Sequence, residues 1–173
     1  GSFGSENGYR FAEILSNDAG AFLQAAGLIK RGAEGKLNLR INRNADGIKG
    51  RLFTESLKIY DLPALAKLLQ SLSIIGLLEQ MLGQGLFLSE SEINFRLDDK
   101  QYIIDRASFF GPSLGISLDG YLNRKDRLLD FQGVFSPIYA INSIGSVLTR
   151  KGEGLIGINF DLWGNPDTPK VLV

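Results

Sequence analysis

The segment at residues 36–42 alternates polar and apolar side chains without a break. Every second residue is apolar (Leu37, Leu39 and Ile41), and the residues between them are lysine, asparagine or arginine. A repeat of two is the period of a β-strand, because successive side chains point to opposite faces of a sheet. This pattern therefore constrains the chain to a sheet with one apolar face and one polar face.

The same alternation recurs along most of the chain. Segments of this kind lie at about 48–60, 86–97, 114–122, 128–135, 155–163 and 170–173, and one more strand follows the turn at Asp98. Turn residues separate many of them, as in Asp46-Gly47, Asp98-Asp99-Lys100 and Asn165-Pro166-Asp167. We therefore expect about seven or eight antiparallel strands in meander order.

Two of these strands carry further detail. In the strand at 48–60 the apolar phase changes near Thr54, which predicts a β-bulge. The strand that follows the turn at Asp98 contains Ile103, Ala107 and Phe109. Several strands are eight or more residues long, which favours a strongly curved sheet.

Three stretches have a helical repeat instead. Asn17 or Asp18 is the expected N-cap of a helix that continues through Ile29 and stops at Gly32. Pro63 begins a pair of amphipathic runs that continue to residue 82, and Pro137 begins a short helix at 138–147. The apolar stripe of the first run consists of Leu65, Leu68, Leu69 and Leu72. The fold class is therefore α+β: a curved antiparallel sheet with about three short amphipathic helices.

The composition excludes several kinds of function. The 173 residues include no His and no Cys, so a Ser-His-Asp triad, a Cys nucleophile and a zinc finger are all excluded. Lys and Arg number 19, as do Asp and Glu, and this neutral balance argues against nucleic acid as a partner. We expect no metal, no cofactor and no enzymatic activity.

The motifs that suggest chemistry have simpler explanations. Residues 152–157 match G-x-G-x-x-G, but a strand is expected after this motif, where dinucleotide binding requires a helix. Asp98 and Asp99 are adjacent on one strand and so point to opposite faces, which favours a solvated turn over a catalytic pair. Glu90 and Glu92 share a face, which we interpret as a solvent-exposed one.

The stretch at 62–82 is long enough to span a bilayer. It contains Lys67 and Glu79, however, and charges at the centre of a bilayer cost several kcal/mol. Two amphipathic helices packed on the sheet are therefore favoured over a helix on a lipid surface. Helices and strand faces together offer more apolar surface than one closed core needs, which suggests an apolar groove.

Both ends of the chain suggest a domain taken from a longer protein. The N-terminal residues are small and polar without a basic region, and Gly1-Ser2 could be a cloning remnant. The C-terminal residues Val171-Leu172-Val173 lie inside an expected strand. We therefore treat residues 1–173 as a single domain excised from a longer chain.

An ordered set of motifs resembles a known family. The set comprises Asn17-Asp18-Ala19-Gly20, the segment from Asp61 to Leu69, Ser113-Leu114-Gly115-Ile116, Leu118-Asp119-Gly120, Gly133 to Ser143, Gly152-Glu153-Gly154 and Phe160 to Val171. The patterns G-x-x-x-P-x-Y-x-x-N at Gly133 and G-x-x-x-x-P-x-V at Gly164 weigh most. This order, over nearly the whole chain, resembles the C-terminal domain of the AsmA-like superfamily, the YhdP-type proteins of Gram-negative bacteria.

The resemblance implies a setting and a function. Members of this family look like bridge-like lipid transfer proteins, which are anchored in the inner membrane and project into the periplasm. Phospholipid would move along an apolar β-groove towards the outer membrane and support its homeostasis, and the family offers no catalytic residues. The resemblance thus implies a periplasmic location, phospholipid as partner and a membrane anchor outside this chain.

The alternating strands independently supply candidates for such a groove. An open groove with an apolar lining would hold acyl chains and leave the head groups in water. The candidate lining residues are Leu37, Leu39, Ile41, Ile93, Phe95, Leu97, Ile116, Leu118, Ile158 and Phe160. The helical residues Leu65, Leu68, Leu69 and Leu72 could plug the groove or dock on a membrane. The competing interpretation is an ordinary packed core.

Two other functions stay open at this point. A structural or docking module could recruit an outer-membrane protein through an exposed edge strand at Lys170 to Val173. An enzyme that acts through carboxylates would need two of them about 5–10 Å apart in one pocket. The position of the 62–82 helices, on the concave face or behind it, separates a plugged groove from an ordinary packed layer.

Overall fold

A computed structural model describes residues 1–6, 9–45, 47–137 and 157–173. The strands are β1 (Ser2–Glu6), β2 (Tyr9–Ser16), β3 (Arg31–Ala33), β4 (Lys36–Asn44), β5 (Gly47–Asp61), β6 (Leu86–Leu97), β7 (Gln101–Phe110), β8 (Leu114–Asn123), β9 (Leu129–Pro137), β10 (Ile158–Asn165) and β11 (Thr168–Leu172). The helices are α1 (Ala19–Ala25), α2 (Pro63–Ser71) and α3 (Ile75–Gly83). The α+β class agrees with the sequence; α1 lies in the first predicted helical stretch, and α2 and α3 lie in the second.

All eleven strands belong to one sheet, and every pairing is antiparallel. The order is β1-β2-β4-β5-β6-β7-β8-β9-β10-β11, and β3 pairs with the second half of β5. The predicted meander is confirmed, but the predicted number of strands is too low. The missed strands are β1, β2 and β3. In β2, Phe11 and Leu15 are apolar residues at positions where the alternation would require polar ones, so the strand pattern is hidden. β3 has only three residues, which is too short for a pattern to be recognised.

The strand register sorts the side chains onto two faces. Residues that pair with one another across the sheet point to the same side of it. One such row runs from β4 to β10 and consists of Leu39, Leu52, Ile93, Ala107, Leu118, Gly133 and Phe160. We call this side the inner face. The opposite side, which carries Arg40, Arg51, Asn94 and Arg106, is the outer face.

The change of phase in β5 occurs at Ser56. Its φ of +57° is left-handed, and the register to β6 is the same on both sides of it. No residue is inserted at this point, so the change of phase is not a β-bulge. The predicted bulge near Thr54 is therefore wrong. Beyond Ser56 the buried side chains are Leu57 and Ile59, as the change of phase in the sequence predicted.

α1 begins as predicted and ends early. The Asp18 carboxylate accepts a hydrogen bond from the Ala21 backbone N–H at 2.9 Å, which identifies Asp18 as the N-cap. The helix ends at Ala25, because Gly27 adopts a φ of +71° and closes the turn. The predicted end at Gly32 is therefore wrong, and that residue lies in β3.

α2 and α3 lie against the sheet. α2 has Pro63 in its first turn, as predicted, and packs against β11 and α3, while α3 packs against β5 and β6. Leu68, Leu69 and Met81 of these helices are buried in the same core as residues of the inner face, including Phe135. No helix in the described part of the chain is long and apolar enough to cross a bilayer.

One predicted helix falls outside the described residues. The segment at 138–147 is not among them, and Pro137, its expected first residue, is the last residue of β9. The two strands that follow begin and end within a few residues of their predicted bounds, as β10 and β11.

Candidate functional site

An apolar cavity of about 240 Å³ lies between α2 and the inner face of the sheet. Every side chain that lines it is apolar. The lining residues are Ile59, Leu62, Ala64, Leu65, Leu68, Leu88, Ile93, Ile104, Ala107, Phe109, Leu114, Ile116, Leu118, Phe131, Phe160 and Leu162. An apolar cavity of about 150 Å³ can already bind benzene, so this space suits a hydrocarbon group.

Helix and sheet each contribute one wall of the cavity. α2 supplies Ala64, Leu65 and Leu68, which recur at helical spacing on one face. The sheet supplies inward-facing residues from β5 to β10, because the side chains of a strand alternate between its two faces. The same alternation that forms the strands therefore also makes the cavity apolar.

α2 packs on the apolar side of the sheet. Leu65 and Leu68 line the cavity together with inner-face residues, so α2 lies on the inner face. Among the described residues, no side-chain hydrogen bond or ion pair joins α2 or α3 to the sheet; the bond from Lys67 to Gln70 lies within α2. The N-cap residues Leu62 and Ile74 make no side-chain capping bond. The cover of the cavity is thus held by apolar contacts.

The predicted lining residues all lie on the inner face, and some of them line the cavity. Those in the cavity wall are Ile93, Ile116, Leu118, Phe160, Leu65 and Leu68. Leu37 and Leu69 are buried in the core, and Leu39, Phe95 and Leu72 pack against it. The remaining three residues, Ile41, Leu97 and Ile158, are half-buried on the inner face outside the cavity.

The register shift in β7 changes which of its side chains face the cavity. β7 shifts register between Ile104 and Ala107, so Ile104 joins Ala107 and Phe109 in the cavity wall. Ile103 pairs with Arg96 and lies on the outer face. The register shift depends on how β7 pairs with its neighbouring strands, and no residue type in this segment predicts it.

The outer face carries ion pairs. Arg40 donates to Glu13 at 2.8 Å, and Arg51 donates to Glu92 at 2.9 Å. These bonds, supported by Asn38 and Asn94 respectively, lower the pKa of Glu13 and of Glu92 below the usual range of a glutamate. Arg96 makes a further pair with Asp105 at 2.6 Å. The sheet is therefore apolar on one side and charged on the other.

The acidic residues and the glycine motif singled out from the sequence can be placed in part. They include no group of three or more Asp or Glu side chains that could hold a metal ion. Asp98 accepts hydrogen bonds from the backbone N–H groups of Lys100 and Gln101, which makes it a turn residue and lowers its pKa. The G-x-G-x-x-G motif lies outside the described residues except for Gly157.

Three comparisons with known proteins gave no match: no protein-family model, no curated protein and no solved structure is similar to this chain. The likeness to AsmA-like proteins thus rests on the ordered residue motifs alone. The function is inferred below from the cavity and from the two faces of the sheet.

Proposed function

We propose that this domain binds the acyl chains of phospholipid between α2 and the inner face of the sheet. The observation that carries the proposal is the cavity of about 240 Å³, which has no polar side chain in its lining. Hydrocarbon is the ligand chemistry that gains most from such a space, by about 25 cal/mol for each Å² of apolar surface removed from water. The domain acts by binding, without catalysis.

The inner face supports the proposal beyond the cavity. Leu39, Ile41 and Phe95 continue the apolar face towards the β1 edge of the sheet, and α2 covers only part of it. An acyl chain that enters the cavity would find further apolar surface along the same face. The charged outer face stays in water.

The way in which α2 is held over the cavity would allow a ligand to enter and leave. α2 is held to the sheet by side chains such as Leu65 and Leu68, and an acyl chain can replace these contacts with similar ones. No described side-chain hydrogen bond to the sheet would have to break. Displacement of α2 by lipid therefore has a low cost in polar interactions.

The resemblance to AsmA-like proteins supplies the cellular setting of the proposal. In that setting the domain belongs to the periplasmic part of a protein that is anchored in the inner membrane by a segment outside this chain. It guides phospholipid between the inner and outer membranes and so supports outer-membrane homeostasis.

Native mass spectrometry of the domain, purified without detergent from bacteria, tests the proposal. We expect part of the population to carry one phospholipid-sized adduct that organic extraction removes. A domain that stays free of lipid after incubation with phospholipid vesicles would contradict the proposal.

One observation favours a second candidate function, a docking module. β11 is the last strand of the sheet, and within the described residues its outer edge pairs with no strand. Such an edge can add a strand from another protein. If docking is the function, Leu172→Pro abolishes co-purification of an outer-membrane protein partner, whereas Ala64→Phe, in the cavity, has no effect.

A further inference from the structure

The outer face has a second concavity, at the end of strands β8 to β10. It encloses about 350 Å³, which is within the range of small-molecule sites. Its lining residues are Tyr121, Asn123, Asp126, Leu128, Leu129, Asp130, Trp163 and Gly164. We call it the aromatic cleft. It lies on the opposite side of the sheet from the apolar cavity, and the lipid proposal does not use it.

Two aromatic residues flank a carboxylate in this cleft. Tyr121 on β8 and Trp163 on β10 are both direct neighbours of Asp130 on β9 in the ladder. Neighbouring strands lie about 4.8 Å apart, so the two aromatic residues are separated by about 10 Å with Asp130 between them. The Tyr121 hydroxyl donates a hydrogen bond to Asp130 at 3.2 Å, which fixes the tyrosine beside the carboxylate.

The aromatic side chains are open to solvent. Tyr121 is 37% exposed and Trp163 is 39% exposed on the outer face. Trp163 is the single tryptophan of the chain. Large exposed aromatic residues around a concavity are typical of a binding site.

The charge of the cleft is negative. Asp126 and Asp130 line it, and no arginine or lysine does. Neither aspartate belongs to an ion pair among the described residues, where Glu13, Glu34, Glu92, Asp105 and Asp167 have their partners. A cation placed between the aromatic rings would therefore meet uncompensated negative charge.

The aromatic faces in the cleft also differ from others in the chain. Arg31, Arg51 and Arg124 lie over the rings of Tyr60, Phe53 and Tyr102 respectively. In the part of the chain that the structure describes, no arginine or lysine takes this position over Tyr121 or Trp163, and Lys170, which is opposite Trp163 on β11, makes no such contact. The two rings are thus available to a cation from outside.

We propose that the aromatic cleft binds an organic ammonium group, with Tyr121 and Trp163 packed against its alkyl substituents and Asp130 as its counter-ion. Aromatic faces attract cations through their quadrupole, and alkylated ammonium ions lose little hydration when they meet such faces. A neutral polar ligand would leave both aspartates without a partner for their charge. A free amine and the head group of a choline or ethanolamine lipid share this chemistry.

The single tryptophan makes the test direct. Choline chloride is added to the purified domain while the fluorescence of Trp163 is recorded, and 3,3-dimethyl-1-butanol serves as the neutral ligand of the same shape. We expect a saturable change with choline at millimolar concentration and at least tenfold weaker binding of the neutral alcohol. Equal binding of the two ligands, or no change with choline, would overturn the proposal.

Two variants locate the charge that matters. Asp130→Asn removes the counter-ion with little change of shape, and we expect it to raise the Kd for choline about tenfold. Asp161→Asn is the matched control, because Asp161 is two residues from Trp163 on the same strand and outer face but does not line the cleft. If both variants bind choline as the wild type does, or if both lose binding equally, the assignment to Asp130 is wrong.

A comparison with phosphocholine distinguishes the two sources of the ammonium group. Binding of phosphocholine as tight as that of choline assigns the cleft to a lipid head group. Binding that is tenfold weaker assigns it to a free amine, because Asp126 and Asp130 repel the phosphate. Both results support an ammonium site, and neither depends on the apolar cavity.

Discussion

Thr54 on β5 and Ser91 on β6 face each other directly on the inner side of the sheet, and neither hydroxyl has a hydrogen-bond partner among the described residues. Thr54 is 2% exposed and Ser91 is 5% exposed. A buried hydroxyl without a partner costs about 1–3 kcal/mol. These two residues therefore lower the stability of a row that otherwise packs apolar side chains such as Leu37 and Phe109.

Replacement of this pair should stabilise the domain. We expect Thr54→Val with Ser91→Ala to raise the free energy of unfolding by about 1 kcal/mol or more, since both changes remove an unpaired polar group. Urea denaturation followed by circular dichroism measures it. Ser117→Ala, at an exposed position on the outer face, should have no effect. A less stable double variant would show that the hydroxyls make bonds that stabilise the fold.

The cap of α1 gives a second prediction. Asp18→Ala should lower the free energy of unfolding by about 1 kcal/mol, because the Ala21 N–H loses its acceptor at the helix start. Asn17→Ala is the control, since Asn17 is the neighbouring exposed residue and makes no capping bond. Equal losses in the two variants, measured by thermal unfolding, would contradict the assignment of the cap.

Two glycines, Gly120 on β8 and Gly164 on β10, separate the effect of backbone strain from that of steric collision. Gly120 has a φ of +144°, and a Cβ there would collide with the Asp130 carbonyl oxygen and with Phe131. Gly164 has a φ of +100°, but a Cβ there would meet no atom within 4 Å. We expect Gly164→Ala to cost about 1–2 kcal/mol from strain and Gly120→Ala to cost at least about 2 kcal/mol more. Similar unfolding midpoints for the two variants would contradict this.

The outer-face ion pairs predict a loss of stability in acid. The pKa of Glu13 and of Glu92 is lower in the folded protein than in the unfolded chain, because Arg40 and Arg51 hydrogen-bond the charged carboxylates. Their contribution is present at neutral pH and is lost as the pH falls below about 4 through the folded-state values. Both pairs are solvent-exposed, so the effect is modest.

A variant isolates this effect. Glu92→Gln should reduce the difference in unfolding midpoint between pH 7 and pH 3.5, since it removes one carboxylate whose pKa shifts on folding. Glu90→Gln is the control on the same strand, because Glu90 belongs to no described ion pair. An unchanged pH dependence in Glu92→Gln would show that this pair does not contribute.

Much of the sheet could be predicted because its signal is local. The alternation of Leu37, Leu39 and Ile41 with polar residues defines both a strand and its buried face, and the register confirms that face across the sheet. Pro63 and the leucines after it likewise predict α2. Strands without clean alternation, such as β2, were missed because their apolar residues lie on both faces.

The cavity could be predicted only in part, because its wall depends on contacts distant in sequence. Ile93, Ile116, Leu118 and Phe160 were found from alternation. Ile104 lines the cavity because of a register shift that no residue type in the sequence predicts. The position of α2, which decides which inner-face residues are covered, results from the packing of its leucines on strands up to β11.

The most direct test of the lipid proposal is a titration of the domain with a fluorescent fatty acid, for wild type and for Ala64→Phe. Ala64 lines the cavity, so a phenylalanine there should fill it and weaken binding at least tenfold. Ala21→Phe, the same change at an exposed position on α1, should bind as the wild type does. If Ala64→Phe binds the fatty acid with unchanged affinity, or if the wild type does not bind it, the proposal that this cavity holds acyl chains is wrong.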